Sequence, residues 1–522
     1  MLIKEVTRRA AAAKYPSVAV IGGGIGGLSI ANALLHENKK SFRQNNYNKI
    51  VDRISVYERA DKFIPTAGAG FGFSPNGQMC LSSIGIHDYN FFCQPFSTMK
   101  RITFDGTAVQ MQASVFEAIR SKYGFGFAGC LRADLVDLLV DNLQRQRDSL
   151  EDGGGGTGHL KYDQKLIKIT PCHEKVELEF ESGHKDVVDL VIGADGIHST
   201  VAKQLNIDDN NIAPIYSGAN IFYGKITNPT NIETIQKKYP MFDEGSVVNG
   251  PGTGEFIAFH AGLGGGGGDD TNSGIIMNKR RTFIWASTYA SSHPPTKNSG
   301  IKRENNDDEQ EEWNQGCLNE LESVLSKYPR SHPIHEFATL TEKDDLLHFG
   351  LYYRHFRRKW SQGRVVLLGD SCHATLPYVG QGANQAIEDA IYLASCLDRH
   401  DSYEQAYQDY YDKRFPRTKR IVQIAGIMHK LYHSESWFMH KALDVLLRSA
   451  MNGGVVLKQL EKEIIEECPV KYEQVLKDVV PKLGYDMVRA LVVSNLSDAV
   501  LSTSEKVLPP TLILSFDVVA IL

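Results

Sequence analysis

The chain of 522 residues exceeds the roughly 250 to 300 at which a single core stops growing, so two or three substructures are expected. It is 42% hydrophobic and 23% charged, with 57 basic against 62 acidic side chains and a net charge of −5; this is the composition of a soluble globular protein and lacks the basic excess of a nucleic-acid binder. Eight cysteines without a C-x-x-C pair and no run of about 18 apolar residues exclude a disulfide framework, a zinc ribbon and an ordinary membrane-spanning helix, and predict a reducing, cytoplasmic setting.

Residues 1–16 read as a basic lead-in, with Lys4, Arg8, Arg9 and Lys14 around an alanine run; they bear a faint likeness to an organelle transit peptide, set against Glu5 and little serine. Ser17 to Ile21 (SVAVI) is a short, β-branched apolar run ended by glycines, the pattern of a buried parallel strand. Ile25, Leu28, Ala31, Leu34 and Leu35 then recur at helical spacing, His36 to Asp52 is polar, and Arg53 to Tyr57 (RISVY) reads as a second strand. The opening is therefore a β-α-β unit with a long polar insertion. Val188 to Gly193 and Arg364 to Gly369 have the same buried-strand look. Between them, alternating segments such as Asn220 to Ile226 and Arg281 to Ser287 suggest an inserted β-rich domain. Gly153 to Gly156, Gly264 to Gly268 and His293 to Glu312 read as loops. From about Ser402 the patterns are helical, and Val507 to Leu522, apolar but broken by Pro509, Pro510 and Asp517, reads as a docked terminal segment.

Gly22-Gly23-Gly24-Ile25-Gly26-Gly27 fits G-x-G-x-x-G between a predicted strand and helix. Gly22 suits the tight turn, Gly24 lets backbone approach a pyrophosphate, and Gly27 allows close helix packing. Glu58, directly after RISVY, stands where a carboxylate accepts from ribose hydroxyls. These residues specify an ADP-containing dinucleotide, NAD or FAD alike. In Arg364 to Ala390 a strand ends at Gly369-Asp370, a loop with Pro377 follows, and Gly380-Gln381-Gly382 opens a helix with an apolar stripe at Ala383, Ala386, Ile387, Ala390, Ile391 and Ala394. The N-terminal amides of that helix are free to meet a ligand.

Three segments together resemble the FAD-dependent aromatic hydroxylases, the single-component (group A) flavoprotein monooxygenases. They are the glycine fingerprint, Ile192 to Ser199 (IGADGIHS), which is similar to the family's DG motif, and GDSCHATLPYVGQGAN, which is similar to its GD motif. The resemblance implies an α/β fold: a Rossmann-like FAD-binding domain of GR2 type at 17–205 and 351–420, an inserted β-rich substrate domain at 206–350, and a helical C-terminal region at 421–522. It further implies that Asp370 holds the ribityl chain, that Gly382 and Ala383 face the flavin, that Gly68 in AGAGFGFSPNG lies along the cofactor, that Arg132 reaches the FAD, and that Asp195 touches FAD and NAD(P)H. An Asp-Gly pair is also the usual hairpin-turn signal, and an arginine opening a helix is commonly a surface charge. Ala202 and Tyr223 stand where many members carry arginines, so the nicotinamide and substrate contacts are expected to differ.

On this resemblance FAD is the cofactor and NAD(P)H the co-substrate. A C4a-hydroperoxide formed with O2 would hydroxylate or epoxidise a small organic substrate, aromatic compounds included. The alternatives are another FAD-dependent reductase or dehydrogenase on this fold, an NAD-dependent dehydrogenase, and a non-catalytic binding protein. His429 and His433 have an i, i+4 spacing that metal sites use, but no H-E-x-x-H pattern. Cys372-His373 invites a nucleophile reading that the surrounding cofactor motif explains better.

Overall fold

A computed structural model of the chain describes residues 16–43, 50–63, 69–106, 108–110, 114–151, 158–205, 213–251, 253–262, 281–295, 307–434, 462 and 467–470. Gly68, the glycine runs at 153–156 and 264–268, the lead-in up to residue 15 and the stretch 507–522 lie outside the described residues.

The apolar run Ser17–Ile21 forms a strand whose Val18, Ala19 and Val20 are fully buried. It is central to a six-stranded sheet and pairs in parallel with Arg53–Tyr57 on one side and Leu190–Gly193 on the other. Gly158–Lys161 continues the sheet beyond Arg53–Tyr57, and Val365–Leu367 continues it beyond Leu190–Gly193. A short antiparallel edge strand, Ser361–Gln362, completes it. Strands buried on both faces need apolar residues, which is why Ser17–Ile21, Leu190–Gly193 and Val365–Leu367 read as apolar runs. Helix Ile25–Arg43 packs against both Arg132–Glu151 and Gly382–Arg399, and Tyr403–Tyr432, capped by Ser402 Oγ on the Gln405 amide, packs on Gly382–Arg399.

The second layer is a seven-stranded sheet in the order Leu346–Tyr353, Ile215–Ile226, Thr282–Ala290, Glu255–Ala261, Ser246–Pro251, Thr98–Ile102, Ala108–Gln110. Two of its strands come from residues 98–110, well before the inserted segment; Thr98–Ile102 joins by parallel pairing with Ser246–Pro251. Pairing partners about 150 residues apart leave no local pattern. Asp307 to Glu312, expected in a loop, instead begin a helix, Asp307–Ser326. The physical reason is downstream: Cys317, Leu321 and Val324 recur at i, i+4, i+7 and are buried in the second layer's core, ordering a segment whose first residues are polar. Among the described residues no helix is long and apolar enough to cross a membrane.

Candidate active site

The fingerprint glycines divide three tasks. Gly22 turns the chain at φ +107°, and a Cβ there would stand 2.4 Å from the Ala194 carbonyl oxygen. A Cβ on Gly27 would lie 1.9 Å from the Gly22 oxygen, so only glycine lets the helix start this close to the strand. Gly24 is open: the nearest atom to a Cβ there would be an Arg132 guanidinium nitrogen at 3.8 Å. Glu58, at the tip of Arg53–Tyr57, accepts from the Gly23 amide at 2.7 Å and from the Ala60 amide at 3.0 Å. Its carboxylate therefore stands beside the glycine turn, with lone pairs remaining for a ribose.

The GD segment approaches the same cleft from the other edge. Asp370 follows Val365–Leu367, and Gly369 before it has φ +65°. The Asp370 side chain is open to solvent yet ringed by protein, so desolvation raises its carboxyl, opposed by the charges of His373 and Arg132. Arg132, exposed at the start of its helix, thus lies near both Gly24 and Asp370. Gly380, left-handed at φ +62°, ends the turn Pro377–Val379, and helix Gly382–Arg399 begins. A Cβ on Gly382 would meet nothing nearer than Thr375 Cγ2 at 3.9 Å. Glu58 thus stands beside the glycine turn, Arg132 lies near both Gly24 and Asp370, and the backbone is open at Gly24 and at Gly382, as an ADP-ribityl-flavin chain would need. The residues present fit FAD.

Asp195 is placed differently from a hairpin turn. Its Oδ2 accepts from the Thr200 and Val201 amides at 2.6 and 3.1 Å, starting the short helix Thr200–Gln204. Its Oδ1 is buried without a partner, and desolvation raises the carboxyl. The strand before it, Leu190–Gly193, is paired in parallel on both sides, which rules out a hairpin here. Tyr223 is buried, and its hydroxyl accepts from the Gly70 amide and donates to the Gly70 carbonyl at 3.1 Å. It ties the second sheet to the strand Gly70–Phe73.

Behind the GD turn lies a set of buried charges that motif reading missed. Asp389 Oδ2 accepts from the Gly369 amide at 3.0 Å and bonds His373 Nε2 at 2.6 Å, while Asp389 Oδ1 accepts from Arg414 Nε at 2.7 Å. Glu388 pairs with Arg414 and with Arg417, the latter at 2.7 and 2.8 Å, and accepts from Asn76 at 2.5 Å. For both carboxyls desolvation is outweighed by these cations, holding Asp389 down at about 2 and Glu388 below its ordinary value. Asn384 pins the helix start, accepting from the Ser74 amide and donating to the Gly72 and Gly380 carbonyls. The available signal was Glu388-Asp389 lying in chain order between the apolar positions Ile387 and Ala390. His373 is thus engaged by Asp389, and Cys372 is fully buried with its thiol pushed up by desolvation, so the pair is no nucleophile.

An apolar cluster joins the second sheet to the GD segment: Ile221, Val247, Phe259, Ile284 and Leu351 from its strands, with Phe96 and with Leu376 of the GD segment. Tyr378 and Val379 pack against this cluster and also against Ile424, Met428 and Leu431 of the helix Tyr403–Tyr432. Near the end of that helix His429 and His433 both bond the Tyr378 hydroxyl.

Residues 301–425 match the family described as FAD binding domain. The chain is 28% identical over 424 residues to 3-amino-4-hydroxybenzoate 2-monooxygenase of Streptomyces cremeus, covering 80% of this chain and 87% of that one. It is 24% identical over 436 residues to 6-hydroxynicotinate 3-monooxygenase of Pseudomonas fluorescens (81% and 91%) and 28% identical over 437 residues to 6-methylsalicylate 1-monooxygenase of Aspergillus terreus (78% and 80%). In fold it is similar to Klebsiella pneumoniae HpxO complexed with FAD and uric acid, with a TM-score of 0.63 at 20% identity over 87% of this chain and 97% of that one. With the fingerprint, the GD turn and the open helix start in place, the chain is similar over about four fifths of its length to aromatic-ring monooxygenases, and residues 301–425 match the FAD binding domain.

Proposed function

We propose that the protein uses NAD(P)H and O2 to place one oxygen atom on a small, hydroxylated aromatic substrate. What supports this reading is the combination of backbone openings at Gly24 and Gly382, Arg132 near both Gly24 and Asp370, and an apolar cluster of the second sheet packed against Tyr378 and Val379 of the GD segment. Bound FAD would supply the oxygen chemistry, by the hydroperoxide route of the family. Glu58 would take the ribose, Asp370 the ribityl chain, and Arg132 the phosphates that pass Gly24. The positive end of helix Gly382–Arg399 would favour negative charge on the reduced ring. Asp195, committed to the Thr200 and Val201 amides by one oxygen, keeps the other for the cofactor or NAD(P)H. The apolar face would hold the substrate ring and exclude water. The relatives' names speak of hydroxybenzoate, hydroxynicotinate and salicylate derivatives, which share a ring hydroxyl. The eight free cysteines fit a reducing cytoplasm.

The test is a panel of 3-amino-4-hydroxybenzoate, 6-hydroxynicotinate and 6-methylsalicylate, scored for stimulated NAD(P)H oxidation and for a product heavier by one oxygen. Stimulation without oxygenated product marks an effector only. A holoprotein that oxygenates no ring hydroxyl compound refutes the reading.

A further inference from the structure

The turn into helix Pro75–Ser83 braces the start of Gly382–Arg399. Gln381 donates to the Ser74 hydroxyl and accepts from Asn76, Asn76 also donates to Glu388, and Asn384 accepts from the Ser74 amide. The same helix carries Cys80, which is fully buried. A second thiol reaches it from far along the chain: Cys468 Sγ lies 3.7 Å from Cys80 Sγ and 3.9 Å from the Asn76 carbonyl oxygen. A disulfide holds its sulfurs at about 2.05 Å, so closing this contact takes a movement of roughly 1.7 Å.

The two thiols differ in their surroundings. Cys80 is fixed in a helix close to Glu388, and burial pushes its thiol up. Cys468 stands beside the Arg417 guanidinium, a neighbour that favours the thiolate, the reactive form of the group. Residues 467–470 are seated on the core of the first layer: Cys468 is buried in it, Val470 packs against it, and Glu467 pairs with Arg417 at 3.6 Å and with Arg420. The Glu467 pairs are partly exposed and individually weak, so lifting of residues 467–470 is a local opening that uncovers both sulfurs at once.

We propose that Cys80 and Cys468 form a reversible oxidation site for hydrogen peroxide, and that the resulting disulfide staples residues 467–470 to the helix that braces the start of Gly382–Arg399. The Cys468 thiolate attacks one peroxide oxygen: an S–O bond forms, the O–O bond breaks, and the departing hydroxide takes up the thiol's proton as water. The Cys80 thiol then attacks the Cys468 sulfur: the S–S bond forms, the S–O bond breaks, and the second oxygen leaves with the Cys80 proton as water. In sum, two thiols lose two electrons and two protons, and one peroxide becomes two waters. A small dithiol reverses the change by exchange. Hydrogen peroxide is the by-product of a reduced flavin that meets O2 unproductively, so the oxidant arises where this protein works.

The experiment uses the flavin-loaded full chain, reduced with a dithiol that is then removed, and treated with a slight excess of hydrogen peroxide. The mass should fall by about 2 Da for the two hydrogens lost, and two of the eight thiols should become unreactive to alkylation in denaturant. Proteolysis should yield one peptide pair joined through Cys80 and Cys468, which dithiothreitol separates. The oxidised protein should release flavin in urea on the order of tenfold more slowly, and dithiothreitol should restore the original rate. Cys80→Ala and Cys468→Ala should each keep their flavin and lose the cross-link and the slowing; the wild-type peptide map decides the pairing without either variant. A cross-link through other cysteines, sulfinic acid at either sulfur without a cross-link, or eight thiols still reactive after peroxide would overturn the inference. A Cys80–Cys468 cross-link that leaves flavin release unchanged would overturn the stapling role. None of these outcomes depends on which compound the protein oxygenates.

Discussion

Replacing Asp389 by asparagine removes one negative charge from the cluster behind the GD turn while keeping its shape. The carboxyl stands at about 2 against an ordinary 3.8, desolvation being outweighed by His373 and Arg414. At about 1.4 kcal/mol per unit, the charge contributes about 2 kcal/mol at neutral pH. The folded value lies below the unfolded one, so this stabilisation is fully present above the unfolded value and is lost as pH falls through the folded one; roughly half remains near pH 3. Urea unfolding of the wild-type and Asp389→Asn holoproteins, followed by flavin fluorescence, should differ by about 2 kcal/mol at neutral pH and by about 1 kcal/mol near pH 3. An equal difference at both pH values would show that the loss is steric and that the Arg414 and His373 charges do not act through Asp389.

Glu58→Ala and Asp370→Ala should each weaken FAD binding about ten- to a hundredfold, the loss of about 1.5 to 3 kcal/mol for a charge-assisted hydrogen bond, as read by flavin titration of apoprotein. Wild-type affinity in both would dismiss the ribose and ribityl assignments. Gly382→Val should leave the fold intact, since a Cβ there meets nothing nearer than 3.9 Å, yet lower the flavin midpoint potential and slow NAD(P)H-driven reduction. An unchanged potential at normal flavin content would mean that this helix end faces away from the ring. Gly27→Ala, by contrast, forces a Cβ to 1.9 Å from the Gly22 oxygen and should abolish flavin retention; normal flavin content would refute the packing role given to that glycine.

Features written in consecutive residues could be read directly. Strands Ser17–Ile21 and Arg53–Tyr57 fall where their apolar runs begin and end, because a strand buried on both faces must be apolar throughout and a glycine or charge stops it. Gly22 and Gly27 were legible because a tight turn and a close approach of helix to strand leave no room for a Cβ. What depends on distant partners was not. Nothing in TMKRI says that Thr98–Ile102 will pair with Ser246–Pro251, and His429 with His433 showed only a metal-like spacing because Tyr378, which they bond, is about 50 residues earlier. Glu388 and Asp389 lie off the apolar stripe, where charges are ordinarily solvated, and Arg414 and Arg417, which make their burial tolerable, belong to another helix.

The interleaving of the two sheets has a consequence for synthesis. Thr98–Ile102 cannot pair until Ser246–Pro251 has been made, and Leu190–Gly193 keeps an open edge until Val365–Leu367 emerges. The cofactor cleft is complete only with Gly382. At roughly 5 to 20 residues per second, a ribosome needs on the order of 20 to 75 s to travel from Ser17 to that glycine, and for that time apolar strand edges stand unpaired on the nascent chain. Yield of flavin-loaded protein should therefore depend on chaperone supply and growth temperature during expression more than on flavin concentration, and neither sheet can be cut out as a contiguous fragment that retains all its strands.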